Sequence, residues 1–265
     1  MPIEMPARGY EIAFEAYGVC IAVGGSHPDV LERARPYLPP GWKPCESSGA
    51  QRRFDIQQET DGSYSFFTDK EGQTMGLSLE LAVLLLDTEI RLYIARKAPG
   101  RIFVHAGVVA HRGKTIMLPG VSFAGKTTLV AALVRAGARY YSDEFAVLDE
   151  NGHVHPYAKP LSLRNERQIQ VDQAVESLGG TAGDEALPVG VVAITSYKPG
   201  GQWQPRRLSG GEGAMAVLAN TVPARERPQE ALRAVRLAMD RAIVLESERG
   251  EAEAIAPLLL AELER

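Results

Sequence analysis

Residues 120–128 read GVSFAGKTT, and this stretch is the most informative in the chain. It matches the pattern G-x-x-x-x-G-K-[ST] at every required position. A predicted strand, Lys114 to Leu118, runs directly into Gly120, and a predicted helix, Lys126 to Ala136, follows. A glycine-rich turn between a strand and a helix is the context in which this pattern forms a P-loop. We therefore expect an α/β fold with a P-loop on its sheet.

The residue types of this loop suit a nucleoside triphosphate with Mg²⁺, and we expect ATP. The glycines let backbone N–H groups curl around a phosphate, and the start of the helix adds partial positive charge. We expect Lys126 to reach the β- and γ-phosphates and the Thr127 hydroxyl to ligate Mg²⁺. The alternative is a glycine-rich turn that binds nothing. The predicted nucleotide-binding residues of the loop are Gly120, Val121, Ser122, Phe123, Ala124, Gly125, Lys126, Thr127 and Thr128.

Two acidic residues, Asp143 and Glu144, follow the next predicted strand, Arg139 to Tyr141. A carboxylate at that strand end can hold Mg²⁺ or take a proton from an attacking hydroxyl. The alternative is a turn that carries solvated acids, because most charged side chains are exposed. His105 lies in an apolar predicted strand, Ile102 to Ala110, and on that ground alone we expect a core histidine.

Taken together, these segments resemble the bacterial HPr kinase/phosphorylase family over residues 103–163. The resemblance rests on HAGV at 105–108, the loop itself, RAG at 135–137 and YSDE at 141–144. It implies a mixed sheet similar to that of the HPr kinase and phosphoenolpyruvate carboxykinase group. It also implies transfer of the γ-phosphoryl group of ATP to a serine-type hydroxyl of a protein or peptide.

The resemblance implies a role for each polar residue near the loop. Asp143 would be the general base toward the acceptor hydroxyl, and Glu144 would be a Mg²⁺ ligand or a supporting acid. His105 would lie beside the phosphates or orient the base. Independently, Arg164 follows the predicted hairpin after the acidic pair, and we expect it to help anchor phosphate because a guanidinium matches phosphate oxygens.

This sequence departs from the family at two points. The family usually has Ser-Glu after the loop lysine, whereas Thr127-Thr128 stands here, which removes an acid near the metal. The Glu-x-Arg-Gly signature of the phosphorylase reaction is missing, so we do not expect reversal by phosphorolysis. The outline is closer to divergent HPr-kinase-like proteins, some of which phosphorylate ribosomally made peptides.

Two other functions stay open. Residues 208–212 read LSGGE, which resembles the signature loop of ABC transporter ATPases, so an ATPase is the main alternative. We interpret these residues instead as a turn and helix cap in which Ser209 supplies the capping oxygen. The third reading is a nucleotide-binding regulator without catalysis.

The composition of the chain limits the binding partners and the cellular location that we expect. With a net charge of -4 and scattered basic residues, a nucleic acid partner is not expected. The longest apolar stretch, Leu81 to Leu86, is too short to cross a bilayer, and the N-terminus does not read as a signal peptide. We therefore expect a cytoplasmic protein without a membrane partner, and a homo-oligomer stays open. Cys20 and Cys45 are expected to be free thiols because neither has ligand-type neighbours.

The chain is predicted to divide near residue 100. Residues 1–100 read as a β-rich region that ends in an amphipathic helix, Leu77 to Lys97, and residues 101–265 read as the P-loop domain. The apolar residues taken as the buried face of that helix are Leu81, Leu84, Leu85, Thr88 and Leu92. The strands predicted in the first region are Tyr17–Val23, Arg53–Gln57 and Tyr64–Thr68.

Overall fold

The structure, a computed structural model, describes residues 9–69, 72–120, 125–164 and 170–264. Strands and helices both contribute, and the chain forms two compact units. The first unit ends at Pro99 and the second begins at Gly100. None of the helices in the described ranges combines the length and the apolar character needed to cross a bilayer.

The first unit is built on a six-stranded sheet with the order β3-β1-β2-β4-β5-β6. All neighbours run antiparallel except β2 and β4, which are parallel. The β-rich N-terminal region is thus confirmed. Its strands are β1 (Tyr10–Ala16), β2 (Val19–Gly25), β3 (Lys43–Pro44), β4 (Arg52–Gln58), β5 (Tyr64–Thr68) and β6 (Gly72–Leu77), and its helices are α1 (Pro28–Ala34) and α2 (Leu79–Lys97).

Helix α2 begins where Ser78 caps it, since the Ser78 hydroxyl accepts a hydrogen bond from the Leu81 N–H. The predicted buried face of this helix is wrong. Leu81 and Leu84 are 48% and 44% exposed. Leucines lie on several sides of the helix, so their spacing does not fix which side is buried; the strands that α2 covers do. The buried residues of α2 are Ala82, Val83, Leu86, Asp87, Ile90, Ile94 and Ala95.

The expectation of free thiols is also wrong, because Cys20 and Cys45 form a disulfide. Strand β1 pairs with β2 on one side and with β3 on the other, which brings the two cysteine segments together. Their separation of 25 residues hides this proximity from a reading of the sequence. Disulfides are rare in the cytosol, so the cytoplasmic location stays a prediction.

The second unit is built on an eight-stranded mixed sheet, as predicted. Its main path is β11-β10-β7-β8-β14-β16-β15, and β9 also pairs with β7. Strands β8, β14 and β16 run parallel, so their carboxyl ends meet at one edge. These strands are β7 (Ile102–His111), β8 (Lys114–Pro119), β9 (Arg139–Ser142), β10 (Phe145–Leu148), β11 (Val154–His155), β14 (Val189–Tyr197), β15 (Arg206–Arg207) and β16 (Ile243–Arg249); a separate hairpin holds β12 (Leu161–Arg164) and β13 (Gln170–Gln173).

Helices cover both faces of this sheet. The helices are α3 (Lys126–Arg135), α4 (Gly210–Leu218), α5 (Pro228–Met239) and α6 (Ala252–Glu262). Helices α3 and α6 share one hydrophobic cluster with the sheet, and α4 and α5 share the other. Helix α3 lies close to β7 because Gly107 has no side chain; a Cβ there would stand 2.6 Å from Val130 Cγ2. Ala136, which follows the last residue of α3, and Leu258 in α6 are exposed.

Candidate active site

Asp143 lies where one strand is interrupted. Strands β9 and β10 both pair antiparallel with β7, and Asp143 and Glu144 form the gap between them. The cause is local, because the Ser142 hydroxyl accepts hydrogen bonds from the N–H groups of Glu144 (3.0 Å) and Phe145 (2.9 Å). A serine turn of this kind competes with the strand ladder. Asp143 is therefore placed at the break between β9 and β10.

Three groups donate to the Asp143 carboxylate. The Tyr140 hydroxyl lies 3.0 Å from Oδ1, the Ser162 N–H lies 3.3 Å from Oδ2, and the Thr127 hydroxyl also forms a hydrogen bond. Burial raises the pKa of Asp143 above its ordinary value, although these donors oppose the shift. The result is a fixed, partly desolvated carboxylate whose affinity for a proton is increased.

Lys126 is the first residue of α3 and directly precedes Thr127. Its Nζ donates to the Gly120 carbonyl at 2.8 Å and lies 3.4 Å from His105 Nε2. Burial lowers the pKa of Lys126, and the negative charge of Asp143 opposes that shift. The ammonium of Lys126 is thus partly buried beside a carbonyl oxygen and a histidine ring.

His105 lies in β7, and its backbone contacts Gly120, the residue that follows β8. Its carbonyl accepts from the Gly120 N–H at 3.3 Å, and its ring packs edge-on against Phe145 with centroids 5.9 Å apart. The side chain is partly exposed and not fully enclosed in the core. The structure thus places His105 beside Lys126, which suits either of its predicted roles.

The remaining residues predicted for the site are Thr128, Glu144, Arg164 and the residues of the loop. Thr128 is exposed, and Glu144 is partly exposed with its carbonyl accepting from the Ala106 N–H at 3.0 Å. Arg164 ends β12, but its side chain is outside the described part of the structure. The loop residues that lie outside the described ranges are Val121, Ser122, Phe123 and Ala124.

Gly125 shows why a glycine precedes Lys126. Its φ of 76° is left-handed, which favours glycine, and its carbonyl accepts the first turn's hydrogen bond from the Leu129 N–H at 3.2 Å. Helix α3 therefore begins directly after Gly125. The N–H groups of its first turn have no helical acceptors, so this end of the helix favours an anion.

Sequence reasoning missed three residues around the site. Tyr140 is buried and also donates to the Lys159 carbonyl at 2.8 Å, which fixes its hydroxyl next to Asp143. Ser162 contributes through its backbone, so its residue type gives no signal. Arg249 contacts Gly125 from the end of β16. Only Tyr140 had a detectable signal, as an aromatic residue three positions before the acid.

Residues 208–212 form the turn and helix cap that the sequence predicts. Ser209 and Glu212 form a capping box at the start of α4, in which the Ser209 hydroxyl accepts from the Glu212 N–H at 3.3 Å. The Glu212 carboxylate in turn accepts from the Ser209 N–H at 2.9 Å. The Ser209 side chain is thus engaged in holding a helix end.

No protein-family model matches the chain, and no curated protein matches it either. The functional assignment therefore depends on the residues and geometry described above.

Proposed function

We propose that this protein is an ATP-dependent kinase that transfers the γ-phosphoryl group to a serine-type hydroxyl of a protein or peptide. The observation that carries the proposal is the grouping of Lys126, Thr127 and Asp143. A cation, a hydroxyl and a carboxylate with a raised pKa lie together at the start of a helix. The sequence motif and the resemblance to HPr-kinase-like proteins agree with that grouping.

Each residue has a distinct task in this proposal. Lys126 binds the phosphates and offsets the charge that spreads over the γ-phosphoryl oxygens during transfer. Asp143 accepts the proton of the acceptor hydroxyl, and its raised pKa makes it a stronger base than an exposed aspartate. Tyr140 and the Ser162 N–H hold the carboxylate in one orientation. The acceptor oxygen then bonds to phosphorus as the bond to the ADP oxygen breaks.

The donor set fits Mg²⁺, which prefers oxygen ligands and usually takes only one or two carboxylates beside phosphate oxygens. Thr127 and Asp143 offer a hydroxyl and a carboxylate that are hydrogen-bonded to each other, and Glu144 follows Asp143 in the sequence. When bound, Mg²⁺ would neutralise phosphate charge. The predicted assignment of Thr127 and Glu144 as its ligands is part of this proposal, as is the absence of nucleic acid and membrane partners.

The proposal is tested by incubating the protein with Mg²⁺-ATP and candidate acceptors, namely a degenerate serine-containing peptide library and the peptides encoded beside its gene. We expect one acceptor to gain about 80 Da, the mass of one phosphoryl group, in step with ADP formation. Mass spectrometry locates the modified residue. The matched control is the same peptide with alanine in place of the serine, which should stay unmodified.

Other results of this experiment would favour one of the alternative functions. Free phosphate as the only product, with every acceptor unmodified, would indicate an ATPase. Nucleotide binding with neither hydrolysis nor acceptor labelling would indicate a regulator, and the catalytic role of Asp143 would then be wrong. Failure to bind any nucleoside triphosphate would overturn the loop assignment itself.

Replacing Ser209 by alanine separates the kinase from an ABC-type ATPase. We expect nucleotide turnover to stay within about twofold of wild type, because the serine caps α4, while the loss of the cap lowers stability by about 1 kcal/mol. Ser209→Asn, which keeps a capping side chain, should recover much of that stability. Turnover and the thermal midpoint are measured on both variants. A large loss of turnover in Ser209→Ala, with the fold intact, would instead favour the ATPase.

A further inference from the structure

The guanidinium of Arg249 is buried, and the residue is 2% exposed. Within the described ranges no ion pair joins it to a carboxylate, and its Nε has no hydrogen-bond partner. Burial lowers the pKa of Arg249, although Glu251 is near enough to oppose the shift. Removing a charge from water is costly unless it is paired and fully hydrogen-bonded. This arginine therefore needs an explanation beyond packing.

Its two terminal nitrogens hold two separate pieces of backbone. Nη1 donates to the adjacent Gly250 carbonyl at 3.0 Å, and Nη2 donates to the Gly125 carbonyl at 2.8 Å, across 124 residues of sequence. The Tyr197 ring lies over the guanidinium, with the central carbon 5.6 Å from the ring centroid. The Tyr197 hydroxyl donates to Glu251 at 3.0 Å, which fixes the ring.

Strand topology explains why this contact falls at the candidate site. Tyr197 and Arg249 are register partners at the carboxyl ends of β14 and β16. Strand β8, which leads into residues 120–128, runs parallel to β14 and ends at the same edge. The arginine thus reaches the start of α3 from the same edge, where ligands bind in open α/β sheets.

The contact restricts the backbone at the residue before Lys126. A Cβ on Gly125 would lie 2.6 Å from Arg249 Nη2, so any other residue there would displace the guanidinium from its present position. In a planar trans peptide the carbonyl and the following N–H point in opposite directions. Holding the Gly125 carbonyl therefore also fixes the direction of the Lys126 N–H, the first N–H group of α3.

We infer that Arg249 is a positioning residue for phosphate binding, which orients the backbone between Gly125 and Lys126 and adds a buried positive charge beside the helix start. This inference rests on the proposed function, because it names a residue that prepares the same site. Arg249 does not itself need to contact the nucleotide. Its guanidinium fork is essential to the role, since one ammonium cannot donate to both carbonyls in the same geometry.

The test compares Arg249→Lys and Arg249→Ala with wild type by calorimetric binding of Mg²⁺ and a non-hydrolysable ATP analogue. We expect the Kd of Arg249→Lys to rise about tenfold, equivalent to about 1.4 kcal/mol, and that of Arg249→Ala to rise at least as much. In turnover assays KM should rise by the same factor while kcat changes less than about threefold. Millimolar guanidinium should partly restore binding in Arg249→Ala, which a general loss of packing would not allow.

Arg206→Lys is the matched control, because Arg206 lies on the neighbouring strand β15 and forms only exposed ion pairs with Glu212 and Glu246; its Kd should equal that of wild type. Equal Kd values for wild type and a folded Arg249→Lys would overturn the role of Arg249 and leave the kinase proposal intact. If Arg249→Ala does not fold, the lysine variant alone supplies this comparison. A wild-type protein that binds no analogue would overturn the kinase proposal, and the Arg249 role with it.

Discussion

Replacing Lys126 by alanine is expected to abolish measurable phosphoryl transfer, with kcat/KM reduced by about a thousandfold. The side chain is the only cation that the motif assigns to the phosphates, and it already lies beside Gly120 and His105 with a pKa lowered by burial. Acceptor labelling and ADP release are measured under the conditions used for wild type. We expect the variant to fold, because Lys126 is only partly buried and alanine is a good helix former at the first position of α3.

Lys114→Ala is the control for this variant. Lys114 is exposed and begins β8 at the end opposite the candidate site, so the same chemical change there should leave activity at the wild-type level. Thermal midpoints of the two variants show whether each is folded. Wild-type turnover in a folded Lys126→Ala protein would refute the assignment of residues 120–128 as a P-loop.

Asp143→Asn is expected to bind Mg²⁺-ATP yet lose phosphoryl transfer by about a hundred- to ten-thousandfold. The amide keeps the size of the carboxylate, and its oxygen can still accept from Tyr140 or Ser162, but it cannot take a proton at neutral pH. Binding is measured by calorimetry and transfer by acceptor labelling. Collapse of nucleotide binding in this variant would mean that Asp143 acts mainly at the metal.

The matched control is Asp184→Asn, in which an exposed aspartate paired with Arg139 is changed in the same way. Exposed ion pairs contribute little to stability, so this variant should behave as wild type. The pH profile gives a second test on the unmodified protein. Because burial raises the pKa of Asp143, kcat/KM should fall on acidification at a higher pH than an exposed aspartate would produce.

The burial and the hydrogen bonds of Asp143 agree with its proposed catalytic role. The raised pKa of Asp143 arises from burial, while hydrogen bonds from Ser162, Tyr140 and Thr127 oppose that rise. Perturbed titratable groups concentrate at functional sites, although structural networks also perturb them. The Asn variant distinguishes these cases, since a purely structural carboxylate would change stability and leave transfer intact.

Much of the second unit could be predicted because the relevant signals are local. The strand and the helix predicted on either side of the glycine-rich segment correspond to β8 and α3, and Ser209 caps α4 as predicted. Each depends on residues within about one helical turn of one another. Steric preferences and capping hydrogen bonds act at that range, so the sequence alone carries them.

Which distant side chains contact each other, and which face of a helix is buried, is decided only in the folded chain. Leucines on several sides of α2 left its buried side open until the sheet beneath it was known, and the pairing of Cys20 with Cys45 required β1 to lie between two strands. The Ser162 N–H reaches Asp143 across 19 residues and Arg249 reaches Gly125 across 124. Local preferences of neighbouring residues were enough to specify the motif and the elements around it. Contacts between distant residues arise from strand order and register, which the packing of the whole sheet selects.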